Sequence, residues 1–359
     1  MDVRIDAAVI GCGRMGAFTS PGVRQYAPSC WMPLAHAEAI RAHPALTLAA
    51  LADVDAESLR RAAAEYRVSR TYTNPYSLLD DVRPSLVGVA TRTVERAAIV
   101  KHALETGTRA LHVEKPLCNS MRELADLQEA FAGEGRFLTY GTIRRFLAPY
   151  RAAVDLVRSG ILGALLEVQV NLGRGQLFWT HPHSVDLILF AAGDIAVESV
   201  AARLSNFVVD DSLSVVESDP VVESATVLFV NGVEGRITRT PGCDLVLACE
   251  RGQVLVEADG RSVRTYASID GDAYFKHADL STLISGEGGT MAPVSELVRC
   301  LKGDTAAVTR NAELRRDIWR GQKILFGLVQ SHSSKGNPVA LDEIREDWVI
   351  WARASGRNA

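Results

Sequence analysis

The stretch Ala7-Ala8-Val9-Ile10-Gly11-Cys12-Gly13-Arg14-Met15-Gly16 decides the fold. Four apolar residues run directly into three glycines at GxGxxG spacing, which reads as a buried strand entering a tight turn. In a nucleotide-binding α/β fold, Gly11 permits the turn and Gly13 lets the backbone approach a pyrophosphate. Gly16 lets the following helix pack close to the strand, with its N-terminus facing the phosphates. Arg14 and Met15 lie within the same turn and are expected at the dinucleotide with the glycines. A preceding strand and a later acidic residue give this motif more weight than glycine spacing alone.

Outward from this stretch, apolar runs alternate with helical periodicity, the pattern of successive βαβ units. Strands are expected over 5–10, 46–52, 86–90, 109–113 and 136–140, with helices over 56–66, 94–105 and 121–132. Beyond Pro149 the pattern changes. A helix over 150–158 is followed by alternating stretches at 165–173, 197–207, 225–230, 233–239, 244–249 and 253–257. A helix over 185–191 falls among them, and a long one over 310–333 follows. Asn231-Gly232 and Asp259-Gly260 read as hairpin turns. The expected architecture is α/β: a Rossmann dinucleotide-binding domain over 1–122, with 123–145 completing its sheet, and an α+β domain with a mostly antiparallel sheet over 146–359.

Asp53 ends the second apolar strand. Its carboxylate can accept hydrogen bonds from the adenosine ribose hydroxyls and repel a 2′-phosphate, which points to NAD rather than NADP. It can equally cap the next helix, a role also open to Asp55, while Arg14 and Arg24 could hold a 2′-phosphate. Asp53 follows Gly16 by 37 residues, where the fingerprint expects ~20. Residues 18–35 account for the excess. They carry Pro21, Pro28 and Pro33, which interrupt a helix, together with Tyr26 and Trp31. This insertion either covers the ligand crevice or is a surface excursion. Ala90 and Thr91, closing the strand over 86–90, are expected in the same crevice, because ligands lie outside the carboxyl ends of parallel strands.

A second motif, Glu114-Lys115-Pro116, directly follows Ala110-Leu111-His112-Val113. It places a lysine at the end of a later strand of the same sheet. Glu114, Lys115 and Pro116 are therefore expected at the cofactor, and Lys115 is a candidate catalytic amine.

The glycine stretch 11–16, His36-Ala37-Glu38-Ala39-Ile40, Leu51-Ala52-Asp53-Val54-Asp55 and Glu114-Lys115-Pro116-Leu117 together resemble the Gfo/Idh/MocA oxidoreductase family. So do Gly141-Thr142-Ile143-Arg144-Arg145-Phe146 and His183-Ser184-Val185-Asp186-Leu187. The resemblance implies that the second domain is an open sheet often used for oligomer contacts. It also implies reversible hydride transfer between a nicotinamide cofactor and a secondary alcohol on a sugar, aminosugar or cyclitol. Lys115 would lie beside the nicotinamide and the reacting oxygen, where an ammonium stabilises developing negative charge. His183 would be the general acid/base, a task suited to imidazole because its pKa lies near neutrality.

Two departures stand out. Trp179 occupies the position, four before His183, where the family pattern has an aspartate, and Ile143 replaces an asparagine. Trp179 either stacks on a sugar ring or fills core. His183 could also be a structural helix-start residue. Of Arg144 and Arg145, one is expected in an ion pair and the other at the substrate, with Arg145 taken as the substrate residue. Arg174, Gln176 and Lys276 are further candidates for substrate contact. The missing aspartate leaves open an NAD-binding sensor or regulator without catalysis, and a third reading is a glycoside hydrolase that uses tightly held NAD and shares Lys115 and His183.

The remaining features narrow the class. With 47% hydrophobic and 23% charged residues, the composition is that of a soluble globular protein. A formal charge of −4 offers no attraction to nucleic acid or an anionic membrane. No apolar run nears the ~20 residues of a membrane span, and Met1-Asp2-Val3-Arg4 carries no signal-peptide pattern. The six cysteines lack metal-binding or disulfide spacing, and His181-Pro182-His183 has no third ligand nearby in sequence, so no metal is expected. The expectation is a cytoplasmic homo-oligomer, dimer or tetramer, acting on a small sugar-like molecule.

Overall fold

The computed structural model describes residues 4–206, 209–210, 214–268, 276–278 and 286–350. The chain divides into two compact units, Met1–Ile143 with Glu287–Arg316, and Arg144–Gly286 with Asp317–Ala359.

The first unit is built on six parallel strands: β1 (Ile5–Ile10), β2 (Leu46–Ala52), β3 (Arg70–Tyr72), β4 (Leu86–Val89), β5 (Ala110–Val113) and β6 (Phe137–Tyr140). Their order is β3-β2-β1-β4-β5-β6. Every residue of β4, β5 and β6 is buried, as befits parallel strands covered on both faces. The order reverses between β1 and β4, which opens the ligand crevice of such a sheet at the ends of these two strands. The helices of this unit are α1 (Pro21–Tyr26), α2 (His36–Ala42), α3 (Ala56–Tyr66), α4 (Pro75–Val82), α5 (Arg96–Glu105) and α6 (Met121–Ala130). Asp55 caps α3 by accepting from the Ser58 amide at 3.2 Å.

The second unit contains α7 (Ala148–Arg158), β7 (Leu165–Asn171), α8 (Pro182–Ala192), β8 (Val197–Ser205), β9 (Val209–Asp210), β10 (Val215–Val216), β11 (Val221–Phe229), β12 (Glu234–Thr238), β13 (Asp244–Cys249), β14 (Gly252–Glu257), β15 (Ser262–Ala267) and β16 (Lys276–His277). Two more helices, α9 (Met291–Leu301) and α10 (Thr305–Ser333), and two short strands, β17 (Val339–Ala340) and β18 (Val349–Ile350), follow among the described residues. Nine strands form one sheet in the order β16-β15-β14-β13-β7-β12-β11-β8-β17, and β18-β10-β9 form a small one. Among the described residues, only the β7–β12 pair of the large sheet is parallel. α7 packs against β13, β14 and β15, and α8 against β7 and β12. The covered face presents Val168, Val170, Leu245, Leu247, Val254 and Val256, all inaccessible to solvent. On the other face Ala201, Thr226, Arg236, Gln169, Val246, Leu255 and Arg264 stand opposite one another in a partly exposed row.

Residues 287–316, expected with the second domain, belong to the first unit. The cause is α9, which packs on β5, β6 and α2. Its Val294, Leu297 and Val298 join Ala7, Val9, Leu51 and Leu86 in one core. The strand expected over 197–207 ends at Ser205, and Phe207 lies outside the described residues. Replacing Leu297 with alanine removes a fully buried side chain from that core. We expect Leu297→Ala to destabilise the first unit by about 2–5 kcal/mol, read as a lower denaturant midpoint. An unchanged midpoint would contradict the docking of α9.

Candidate active site

Gly11 follows β1 with φ of 95°, a left-handed conformation that costs glycine little. A Cβ there would stand 2.6 Å from the Ala90 carbonyl oxygen, and one on Gly16 would stand 1.6 Å from that of Gly11. Nothing lies within 4 Å of a Cβ built on Gly13, so its backbone is open to a phosphate. Arg14 is exposed and Met15 half-buried on the same turn, and Ala90 and Thr91 are half-buried beyond β4. These residues fit a dinucleotide.

The turn begins a helix that is then interrupted. The Ala17 amide donates to Gly13 O at 2.9 Å, as in a first helical turn. After residues 18–35 the ladder resumes, with the amides of His36 and Ala37 donating to Met15 O at 2.9 Å and Gly16 O at 2.8 Å. The insertion is thus looped out of one helix, and without its 18 residues Asp53 would follow Gly16 at close to the usual ~20. It is anchored to its own unit. Thr19 Oγ1 donates to Glu38 Oε2 at 2.7 Å, Arg24 pairs with Glu38, and the amides of Gly289 and Thr290 donate to Cys30 O and Pro33 O, each at 2.8 Å.

Asp55 is the cap of α3, and Asp53 has a different position. Its Oδ2 accepts from the Cys12 amide at 2.5 Å and its Oδ1 from the Asp55 amide at 2.8 Å. An ionised carboxylate has about four acceptor sites, so two hydrogen bonds leave capacity for ribose hydroxyls. Of the two arginines that could hold a 2′-phosphate, Arg24 is already engaged by Glu38, and Arg14 is exposed on the glycine turn.

Lys115 follows β5 and is half-buried among fully buried neighbours, and its peptide with Pro116 is cis. The Glu114 carboxylate, expected at the cofactor, is buried instead. Its Oε1 lies 3.3 Å from His36 Nε2, and its Oε2 accepts from the Lys115 amide at 3.3 Å. Its side chain therefore supports the turn rather than the dinucleotide. Burial alone would raise its pKa, but the His36 hydrogen bond and the electrostatics of His36 and Lys115 hold it below the usual carboxylate range. Gly141 closes against it, since a Cβ there would stand 2.7 Å from Glu114 Oε2.

Sequence spacing missed one cluster. His36, His112 and Glu114 offer donor atoms within 4.8 Å of one another, all buried. His112 Nδ1 lies 2.9 Å from Thr139 Oγ1, and burial followed by repulsion from His36 keeps its pKa well below the ordinary value. The spacing of two residues along β5 puts His112 and Glu114 on one face.

In the second unit, the turn over 176–181 places Trp179 and His183 half-exposed and His181 fully buried. The Thr180 amide donates to Gln176 O at 2.8 Å, and the His183 amide to Thr180 O at 3.3 Å. His181 Nδ1 lies 3.0 Å from Ser184 Oγ. Burial lowers its pKa to about 4, so it is neutral near pH 7 and does not replace the missing carboxylate.

Arg145 is corrected from substrate ligand to structural residue. Its guanidinium is buried, with Nε 3.2 Å from Asp186 Oδ2 and a terminal nitrogen 2.9 Å from Asp317 Oδ2. Arg144 pairs with Asp259 at 2.7 Å. Arg174 is exposed, with Nε donating to Glu223 Oε1 at 3.1 Å and a terminal nitrogen to Ser205 Oγ at 3.4 Å. Lys276 is exposed on β16.

The depressed pKa of His181 has a consequence for stability. The unfolded chain takes up the proton at about 6.5, whereas the folded one does so only near 4. Stability is therefore lost as pH falls from above 6.5 to 4, by about 3 kcal/mol from this group. We expect His181→Gln to flatten the pH dependence of the unfolding midpoint over that window. An identical slope would contradict a neutral buried imidazole.

Residues 5–142 match the family described as "Oxidoreductase family, NAD-binding Rossmann fold" (GFO/IDH/MocA). A curated relative, an uncharacterized oxidoreductase of Schizosaccharomyces pombe, is 30% identical over 117 residues, 33% of this chain and 32% of that protein. The chain thus spans about a third of the length of this relative. Among solved structures, an oxidoreductase domain protein from Kribbella flavida matches with a TM-score of 0.71 at 21% identity, over 94% of this chain and 99% of that one. A levoglucosan dehydrogenase bound to NADH and L-sorbose matches at 0.71 and 17% identity, over 94% and 99%. The WlbA dehydrogenase from Bordetella pertussis, bound to NADH and UDP-GlcNAcA, matches at 0.68 and 18% identity, over 94% and 98%. Over residues 5–142 the chain is thus similar to the NAD-binding Rossmann domain of the GFO/IDH/MocA oxidoreductase family.

Proposed function

We propose that this protein is an NAD-dependent oxidoreductase interconverting a secondary alcohol and a ketone on a sugar, aminosugar or cyclitol. The observation that carries this reading is Lys115, half-exposed at the end of β5, on the same sheet as the glycine turn and Asp53. Gly11, Gly13, Arg14, Met15, Gly16, Ala90, Thr91 and Pro116 would hold the dinucleotide. Asp53 would take the ribose hydroxyls and disfavour a 2′-phosphate. The levoglucosan dehydrogenase bound to NADH and L-sorbose supports a sugar-like substrate. A partly exposed row across the large sheet supports assembly as a homo-oligomer.

Bound NAD supplies the hydride acceptor in the oxidative direction. Lys115 donates a hydrogen bond to the substrate oxygen and stabilises negative charge there. His183, half-exposed on the first turn of α8, accepts the hydroxyl proton and returns it in the reverse direction. Trp179 would present its ring to an apolar sugar face.

Purified protein with NAD and a panel of sugars, aminosugars and cyclitols should produce NADH. Lys115→Ala should lower kcat by about 10²–10³-fold, and His183→Asn by about 10²–10⁴-fold, both with NADH affinity retained. NAD binding with no turnover of any substrate would instead favour a sensor. Release of an aryl leaving group from a glycoside without net NADH would favour a hydrolase.

A further inference from the structure

Three loops of the first unit meet the expected cofactor crevice: those after β1, β4 and β5. The loops after β4 and β5 are held from behind by buried ionisable side chains, and the loop after β1 by the main-chain amide of a buried histidine. Arg96 is the first residue of α5 and only 3% exposed. Its guanidinium donates to the carbonyl oxygens of Thr91 and Pro116, joining the loop after β4 to the loop after β5. His36 is the first residue of α2 and fully buried. Its amide donates to Met15 O in the glycine turn, and its ring lies against Glu114, whose other oxygen accepts from the Lys115 amide.

A buried charge costs stability unless its hydrogen bonds are well made. Here both charges are directed at the backbone on either side of the Lys115–Pro116 dipeptide: Glu114 takes the amide of Lys115, and Arg96 takes the carbonyl of Pro116. Gly141 brings β6 against the same carboxylate with no room for a side chain. The backbone that carries Lys115 and Pro116 is therefore clamped at both ends.

We propose that Arg96 and the His36–Glu114 pair are positioning residues for Lys115, fixing where its ammonium is presented. The proposal rests on the catalytic reading of Lys115, but its test does not require turnover. The chain has only six lysines, Lys101, Lys115, Lys276, Lys302, Lys323 and Lys335, so acetylation of each can be followed by peptide mass spectrometry. Lys101 and Lys302 are exposed and serve as internal references.

The variants are Arg96→Lys, Glu114→Gln and His36→Asn in the full chain, with folding checked by thermal unfolding. The last two test the carboxylate side independently, should the arginine variant not fold. We expect the acetylation rate of Lys115 to change several-fold relative to Lys101 and Lys302, with NADH affinity preserved. Where a substrate is turned over, kcat should fall by about 10–100-fold with little change in KM, as expected for a misplaced catalytic group. Folded variants with an unchanged Lys115 rate and unchanged kcat would overturn the proposal. So would a lower unfolding midpoint with Lys115 labelling unaffected, which would make the cluster structural only. A wild-type protein that turns over no substrate would overturn the catalytic reading while leaving the labelling result to judge the positioning role.

Discussion

The contact between Gly16 and the carbonyl oxygen of Gly11 is the constraint on which the first unit depends. A Cβ at Gly16 would stand 1.6 Å from that oxygen, so any other residue would force the helix start away from β1. Because the approach is allowed, the turn closes, the Ala17 amide reaches Gly13 O, and the Gly13 backbone remains open. The same closure sets Met15 O where the His36 amide meets it after an 18-residue excursion. From His36 the connection runs to Glu114 and then to the Lys115 amide. The glycine turn and the lysine loop, about a hundred residues apart in sequence, are in this way parts of one hydrogen-bonded arrangement.

Electrostatics divides the polar residues into those that hold the structure and those left for chemistry. Arg145 answers Asp186 and Asp317 in a buried cluster, and Arg24 answers Glu38. Glu114 is ionised but turned inward. His181 is buried and neutral near pH 7, whereas His183, two residues later, is half-exposed. Two histidines at one helix start thus differ in what they can do because burial separates them. Lys115 differs from its buried neighbours in the same way.

Much of this was legible in the sequence because it depends on local patterns. The apolar runs and glycines of β1, β2, β4, β5 and β6 mark the parallel sheet, and alternation marks the antiparallel one. The Asp53 spacing pointed to an insertion, although only the resumed ladder at His36 and Ala37 shows that it is looped out of a helix. Long-range pairing was not legible. Nothing near Arg145 announces Asp317, 172 residues away, and the short α9 carries no sign that it packs back on β5. The His36–His112–Glu114 cluster combines a helix start with one face of a distant strand, a proximity that only the folded sheet creates.

We propose that the first unit binds NAD through the glycine turn and selects it through Asp53. The most direct measurement is a titration of the purified protein with NADH and NADPH, followed by nicotinamide fluorescence. The expected result is saturable binding of NADH at least about tenfold tighter than NADPH, a preference of about 1.4 kcal/mol. Absence of binding by either cofactor, or a preference for NADPH, would contradict it.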